Sequence, residues 1–145
     1  GVSLDKGQDA KQFIDDYFKK PGRETALGLS LGLLKAEILH LSDNRQESLS
    51  SLKQFSESIK NPWYSLISRH LPLKNRESEL IKLAGNKPEK LITMHTALGL
   101  WAEGNQDRDK AAHHYREALS SYLDGWNEYD LALGRILQLR QEVAQ

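Results

Sequence analysis

Five histidines, at positions 40, 70, 95, 113 and 114, are the groups of this chain best suited to bind a metal or carry a proton. His113 and His114 are neighbours, and on a helix they point about 100° apart, so they do not readily share one ion. His95 reaches them only if its helix packs antiparallel to theirs, with Glu103 or Asp107 then placed to supply oxygen. Neither a His-Glu-x-x-His nor a His-x-x-x-His spacing occurs, so the histidines read as core or surface residues and no metal site is expected. The acidic stretch 103–109 does not follow a calcium-loop register. Asp107 or Asp109 reads instead as the cap of the helix after it. Ser48, Ser50, Ser51, Ser56 and Ser58 sit in no nucleophile elbow. The expectation is a chain with no catalytic residues, no cofactor and no enzymatic activity.

The elements that carry these groups follow from composition. The 145 residues include 24 Leu and 11 Ala but only 2 Val and 3 Thr. Leu, Ala, Glu, Lys, Gln and Arg favour helices, whereas pleated surfaces favour β-branched residues, so the fold class is all-α. The length suits one domain with a sizeable core. Twenty basic and twenty acidic side chains give a formal charge of zero, which argues against a phosphate-neutralising surface. Arg69 to Arg76 and Lys87 to Lys90 form only a modest basic patch, so nucleic acid is not expected as a partner. The absence of cysteine excludes a disulfide framework and a thiolate zinc site, and leaves the compartment open. The most apolar stretch, Ala26 to Leu41, is interrupted by Ser30, Lys35, Glu37 and His40 and falls short of the roughly 18 apolar residues that span a bilayer. The chain opens at Gly1 with its single Met at position 94, and reads as a domain of a larger protein.

Breakers punctuate the chain at regular intervals. Residues 1–8 read as a flexible lead-in, and residues 9–145 as one helical domain. Helices are expected over 9–20, stopped by Pro21-Gly22, and over 23–41. Ser42 or Asp43 should cap a third that ends at Asn61-Pro62. Shorter helices follow over 63–71 and 75–84, the latter with Asn75 and Ser78 available for capping. Pro88 should open the next, running to 103. Asp107 or Asp109 starts another that reaches 122, and the last covers 127–143. Seven to eight helices with short turns imply antiparallel neighbours in an array.

The segment His95 to Leu123 shows a repeat signature. It pairs Leu98-Gly99 and Ala102 with Ala111, Tyr115 and Ala118-Leu119. Small residues at these spacings let two antiparallel helices approach closely, while Leu98 and Tyr115 fill the space around them. The pattern resembles the tetratricopeptide repeat, a helix–turn–helix unit of about 34 residues. Departures are His95 where that family favours Trp, Gln106 where a turn Gly is common, and Leu123 where Pro ends the unit. Leu133-Gly134 recur 35 residues after Leu98-Gly99. Ser51, Phe55, Ser58 and Ile59 repeat the spacing of the second helix, marking 31–60 as a divergent unit. The segment 63–84 reads as an irregular pair.

The resemblance implies a protein–protein interaction module, a scaffold or regulatory domain that binds a peptide or helix on a groove of successive first helices. Carried over position by position, the groove comprises Thr93, Thr96, Leu100 and Glu103, then Glu128, Leu131, Arg135 and Gln138. Arg135 is its only strong anchor for a carboxylate, and no Lys and Arg clamp is evident. Trp126, beside Gly125 at a helix start, is the best candidate for a partly exposed contact residue. The other reading is a helical sensor with a small-ligand pocket near His95. The sequence leaves the oligomeric state open.

Overall fold

Helix-forming composition and well-placed breakers give six helices among the residues described by the computed structural model, which are 44–73, 76–123 and 125–144 with Gln12, Gly32 and Lys35. They are α1 (Arg45–Ser58), α2 (Pro62–His70), α3 (Glu77–Ala84), α4 (Pro88–Gly104), α5 (Arg108–Leu119) and α6 (Asn127–Ala144). No strand occurs among these residues. The lead-in and the helices expected over 9–20 and 23–41 lie outside the described residues, except for Gln12, Gly32 and Lys35, which are helical.

Several ends differ from the sequence expectation for identifiable reasons. The first described helix starts after Asn44, whose side chain makes no capping bond, and the expected caps Ser42 and Asp43 lie outside the described residues. Helix α1 ends at Ser58, before the expected Asn61-Pro62 stop, and Asn61 serves the next helix instead. Its side chain accepts from the backbone N–H groups of Trp63 and Tyr64, at 3.0 and 3.2 Å, and caps α2 with Pro62 in its first turn. The 75–84 helix begins at Glu77 without a side-chain cap, and Ser78 lies inside it. Gly85 closes it with φ +62°, a conformation open to glycine. Helix α5 stops at Leu119 rather than Tyr122. The hydroxyls of Ser120 and Ser121 donate to the carbonyls of Glu117 and Ala118, at 2.6 and 2.7 Å, and Tyr122 turns left-handed with φ 58°.

The turn between α4 and α5 is compact. The N–H of Asp107 donates to the carbonyl of Ala102 at 2.9 Å, and that of Gln106 to Glu103 at 2.8 Å. These two bonds make a Schellman motif whose left-handed residue is Gln106, with φ 62°. Asp107 then caps α5 by accepting from the N–H of Lys110 at 3.2 Å. The chain thereby reverses, and α5 packs along α4. Helix α6 packs against both. Arg108 at the start of α5 pairs with Glu142 near the end of α6 at 3.2 Å, which makes those two antiparallel, so α4 and α6 run parallel. Helices α1, α2 and α3 extend the array from the other end of the described chain.

Helix α4 is the centre. Every residue from Ile92 to Leu100 is buried, so it lacks a polar face. Ala111, Tyr115 and Ala118 of α5 and Ala132, Ile136 and Leu139 of α6 complete the core around it. Trp63 of α2 closes one flank, its Nε1 donating to the carbonyl of Lys90 at 3.3 Å while the Lys90 ammonium lies 5.2 Å from its ring centre. A side chain in the left-handed region is disfavoured by about 1–2 kcal/mol, partly offset by the flexibility of glycine when unfolded. Gln106→Gly should therefore stabilise the chain by roughly 0.5–1 kcal/mol. Thermal unfolding should show a rise of about 2–4 °C.

Candidate functional site

The site is built outward from Gly99. A Cβ there would sit 2.5 Å from Cε1 of Tyr115 and 2.7 Å from its Cδ1, closer than non-bonded carbon atoms approach, so only glycine lets the ring come this close to α4. Tyr115 is fully buried, and its hydroxyl donates to Oε1 of Glu103 at 2.7 Å. Arg135 of α6 grips the same carboxylate with two bonds, Nε to Oε1 at 2.8 Å and Nη2 to Oε2 at 2.5 Å. The Glu103 side chain is only 9 % exposed. A bidentate guanidinium–carboxylate pair with an added phenol donor is among the stronger polar contacts in proteins. One residue from each of three helices meets at this point.

Arg135 is thus not an open anchor for a partner's carboxylate, because the chain's own Glu103 occupies it. That corrects its place in the groove. Thr93, Thr96, Leu100 and Glu128 are buried as well, so these four positions do not form an open channel. Burial follows from α4 being surrounded and from α6 turning Glu128 toward it. Leu131 is half-buried, Gln138 is exposed, and Trp126 is 36 % exposed. Leu98, Gly99, Ala102, Ala111, Tyr115 and Ala118 are all buried between helices.

Two of the groove positions carry unmatched polar atoms. Thr96 Oγ1 and Glu128 Oε1 are buried with no hydrogen-bond partner among the described residues. Burial pushes the Glu128 carboxyl above its ordinary pKa, against a smaller opposing effect of its own backbone N–H. Because α4 and α6 run parallel and Glu103 binds Arg135, Thr96 and Glu128 each lie two turns toward the N-terminus of that pair. They share one layer, about 10 Å from it.

The histidines resolve into an internal contact. Nδ1 of His95 lies 3.1 Å from Nδ1 of His114, with both residues buried and ring centres 5.3 Å apart. In the neutral pair one Nδ1–H donates to the other ring's Nδ1, so the two rings take opposite tautomers. Exposed His113 rests its ring against that of His114. Burial lowers the His95 pKa, with Glu117 opposing and His113 reinforcing. Burial first, and then His95, His113 and Lys110, pushes His114 down to about 3. Among the described residues no group of three or more His, Cys, Asp or Glu side chains could hold a metal ion.

Sequence reasoning named Glu103, Tyr115 and Arg135 but separated them, giving Tyr115 to packing and the other two to a groove. The available signal was opposite charge at corresponding faces of successive first helices. Comparisons with protein-family models, with curated proteins and with solved structures find no match for this chain.

The clearance at Gly99 predicts that Gly99→Ala destabilises by about 1–3 kcal/mol through overpacking. Gly134, where an added Cβ meets nothing within 4 Å, provides the contrast. Gly134→Ala should stabilise by about 0.5–1 kcal/mol, and urea melts of both variants test the pair. The histidines set an acid limit. Their folded pKa values lie below the unfolded one, so between pH 6.5 and about 3 the unfolded chain binds more protons. Stability from this pair should be complete above pH 6.5 and fall as pH drops, by up to about 1.4 kcal/mol per pH unit for one histidine. A series of urea midpoints from pH 8 to 4 measures it, and His114→Phe should flatten the slope.

Proposed function

We propose that this chain is a protein–protein interaction module of tetratricopeptide-like architecture, binding a peptide or helix along the face shared by α4 and α6. The architecture is supported by the α4–α5 pair. Its small residues lie at the helix contact, and its turn takes a left-handed residue at position 106, where the tetratricopeptide pattern commonly has glycine. A second glycine–aromatic contact adds support. A Cβ on Gly32 would lie 2.8 Å from the ring of Phe55, as Gly99 underlies Tyr115. No described helix is long and apolar enough to cross a membrane.

The observation that carries the binding reading is the unmatched layer of Thr96 and Glu128. Buried polar atoms without partners are unfavourable by about 1–3 kcal/mol each, and a partner that supplied donors there would recover that energy. A basic side chain suits the layer best, since a cation beside Glu128 also restores its ionised form. Both positions are buried, so binding requires the face to open and should be slow to associate.

The test is a displayed random-peptide library panned on the folded chain, followed by calorimetry of the enriched sequence. The enriched peptides should share a Lys or Arg. Glu128→Gln, which keeps the shape and removes the charge, should weaken binding about tenfold without lowering the melting temperature. A library that yields no specific binder, or one whose binder ignores Glu128→Gln, overturns the reading. The same buried layer would also suit a small amine, the ligand of a sensor domain, and a melting shift with free alkylamines but not with peptides would favour that alternative.

A further inference from the structure

Helix α6 turns Glu128, Ala132, Ile136 and Leu139 inward, which leaves an outer face pointing away from the core. Along that face lies an apolar stripe: Leu133 and Leu137 are 39 % and 48 % exposed, and Trp126 extends the line from just before the helix. One helical turn before Leu133 comes Asp130, and one turn after Leu137 comes Arg140. They are the only charged residues among the exposed described positions of α6, and neither pairs with another charge among the described residues. Gly134 adds a flat spot, since a Cβ there would meet nothing within 4 Å.

The order of these residues is symmetric about position 135. Leu133 and Leu137 are equidistant from it, as are Asp130 and Arg140, and the two charges are opposite in sign. A two-fold axis through that point would lay a second α6 antiparallel on the first. Leu133 would then meet the second copy's Leu137, and Asp130 would stand level with the second copy's Arg140, twice over. A surface that complements itself under rotation is what a closed two-fold dimer requires. An unrelated helix has no reason to find this arrangement.

We propose that the outer face of α6 is a self-association surface on which two copies of this chain pair antiparallel. The helix is about 27 Å long, and a single helix face of that length buries less than the roughly 1,000 Å² of a stable complex. The dimer is therefore weak and reversible, with Kd on the order of 10–500 µM. The paired face is opposite the one that carries Glu128 and Arg135, so association leaves the α4–α6 layer untouched.

Sedimentation velocity on the 145-residue chain from about 5 to 500 µM tests this, within the range expected for so small an interface. The wild type should shift from monomer to dimer across that range. Asp130→Arg and Arg140→Asp should each weaken association about tenfold by placing like charges level with each other. The double exchange D130R/R140D should return it to within about threefold of wild type, and Leu137→Glu should abolish it. All three substituted positions are exposed, and circular dichroism confirms that each variant is folded. A chain that stays monomeric throughout overturns the proposal. So does a dimer that ignores the single exchanges, or one that the double exchange fails to restore.

Discussion

The described structure depends on how closely the Tyr115 ring approaches the backbone of α4. With hydrogen alone on Gly99, the two helices come together far enough for the phenol oxygen to reach past the contact to Glu103. That reach orients the carboxylate, and the oriented carboxylate receives the two-pronged guanidinium of Arg135. Packing and polar order are therefore one event here. The apolar part of Tyr115 supplies the buried area, and its single polar atom fixes where the third helix attaches.

The interior beside this junction holds several polar side chains. His95, Thr96, His114 and Glu128 all lie inside. The histidines satisfy each other, whereas Thr96 and Glu128 do not. The two kinds of burial respond oppositely to pH. The histidine pair increasingly favours the folded state as pH rises toward 6.5, while Glu128 disfavours it as pH rises past its unfolded value. A core that keeps unmatched polar groups is less stable than an apolar one of the same shape. The binding reading takes its force from that imbalance.

The helical class and most helix limits were legible in the sequence, because Pro62, Gly85, Pro88 and Asp107 act locally through φ restriction or capping. The close approach at Gly99 was legible too, from the spacing of small and aromatic residues. The Glu103–Arg135 pair was not. Which charges meet depends on the relative rotation of helices 32 residues apart, and local pattern does not encode it. Reading Thr93, Thr96 and Leu100 as open positions failed for a similar reason. A helix looks amphipathic only against a known number of neighbours, and α4 is enclosed on every side. The end of α5 was misplaced because serine hydroxyls competed for its last carbonyls, a choice between two nearly equal local bonds.

The fit of ring to glycine also constrains how this chain can vary. Positions 99 and 115 occupy a shared volume in which one methyl group is already too much. A larger residue at 99 is tolerable only alongside a smaller one at 115, and a smaller one at 115 removes the phenol that steadies Glu103. Three positions on two helices are thus tied into a single unit of inheritance. Sequences diverging from this one should change them together or leave all three alone.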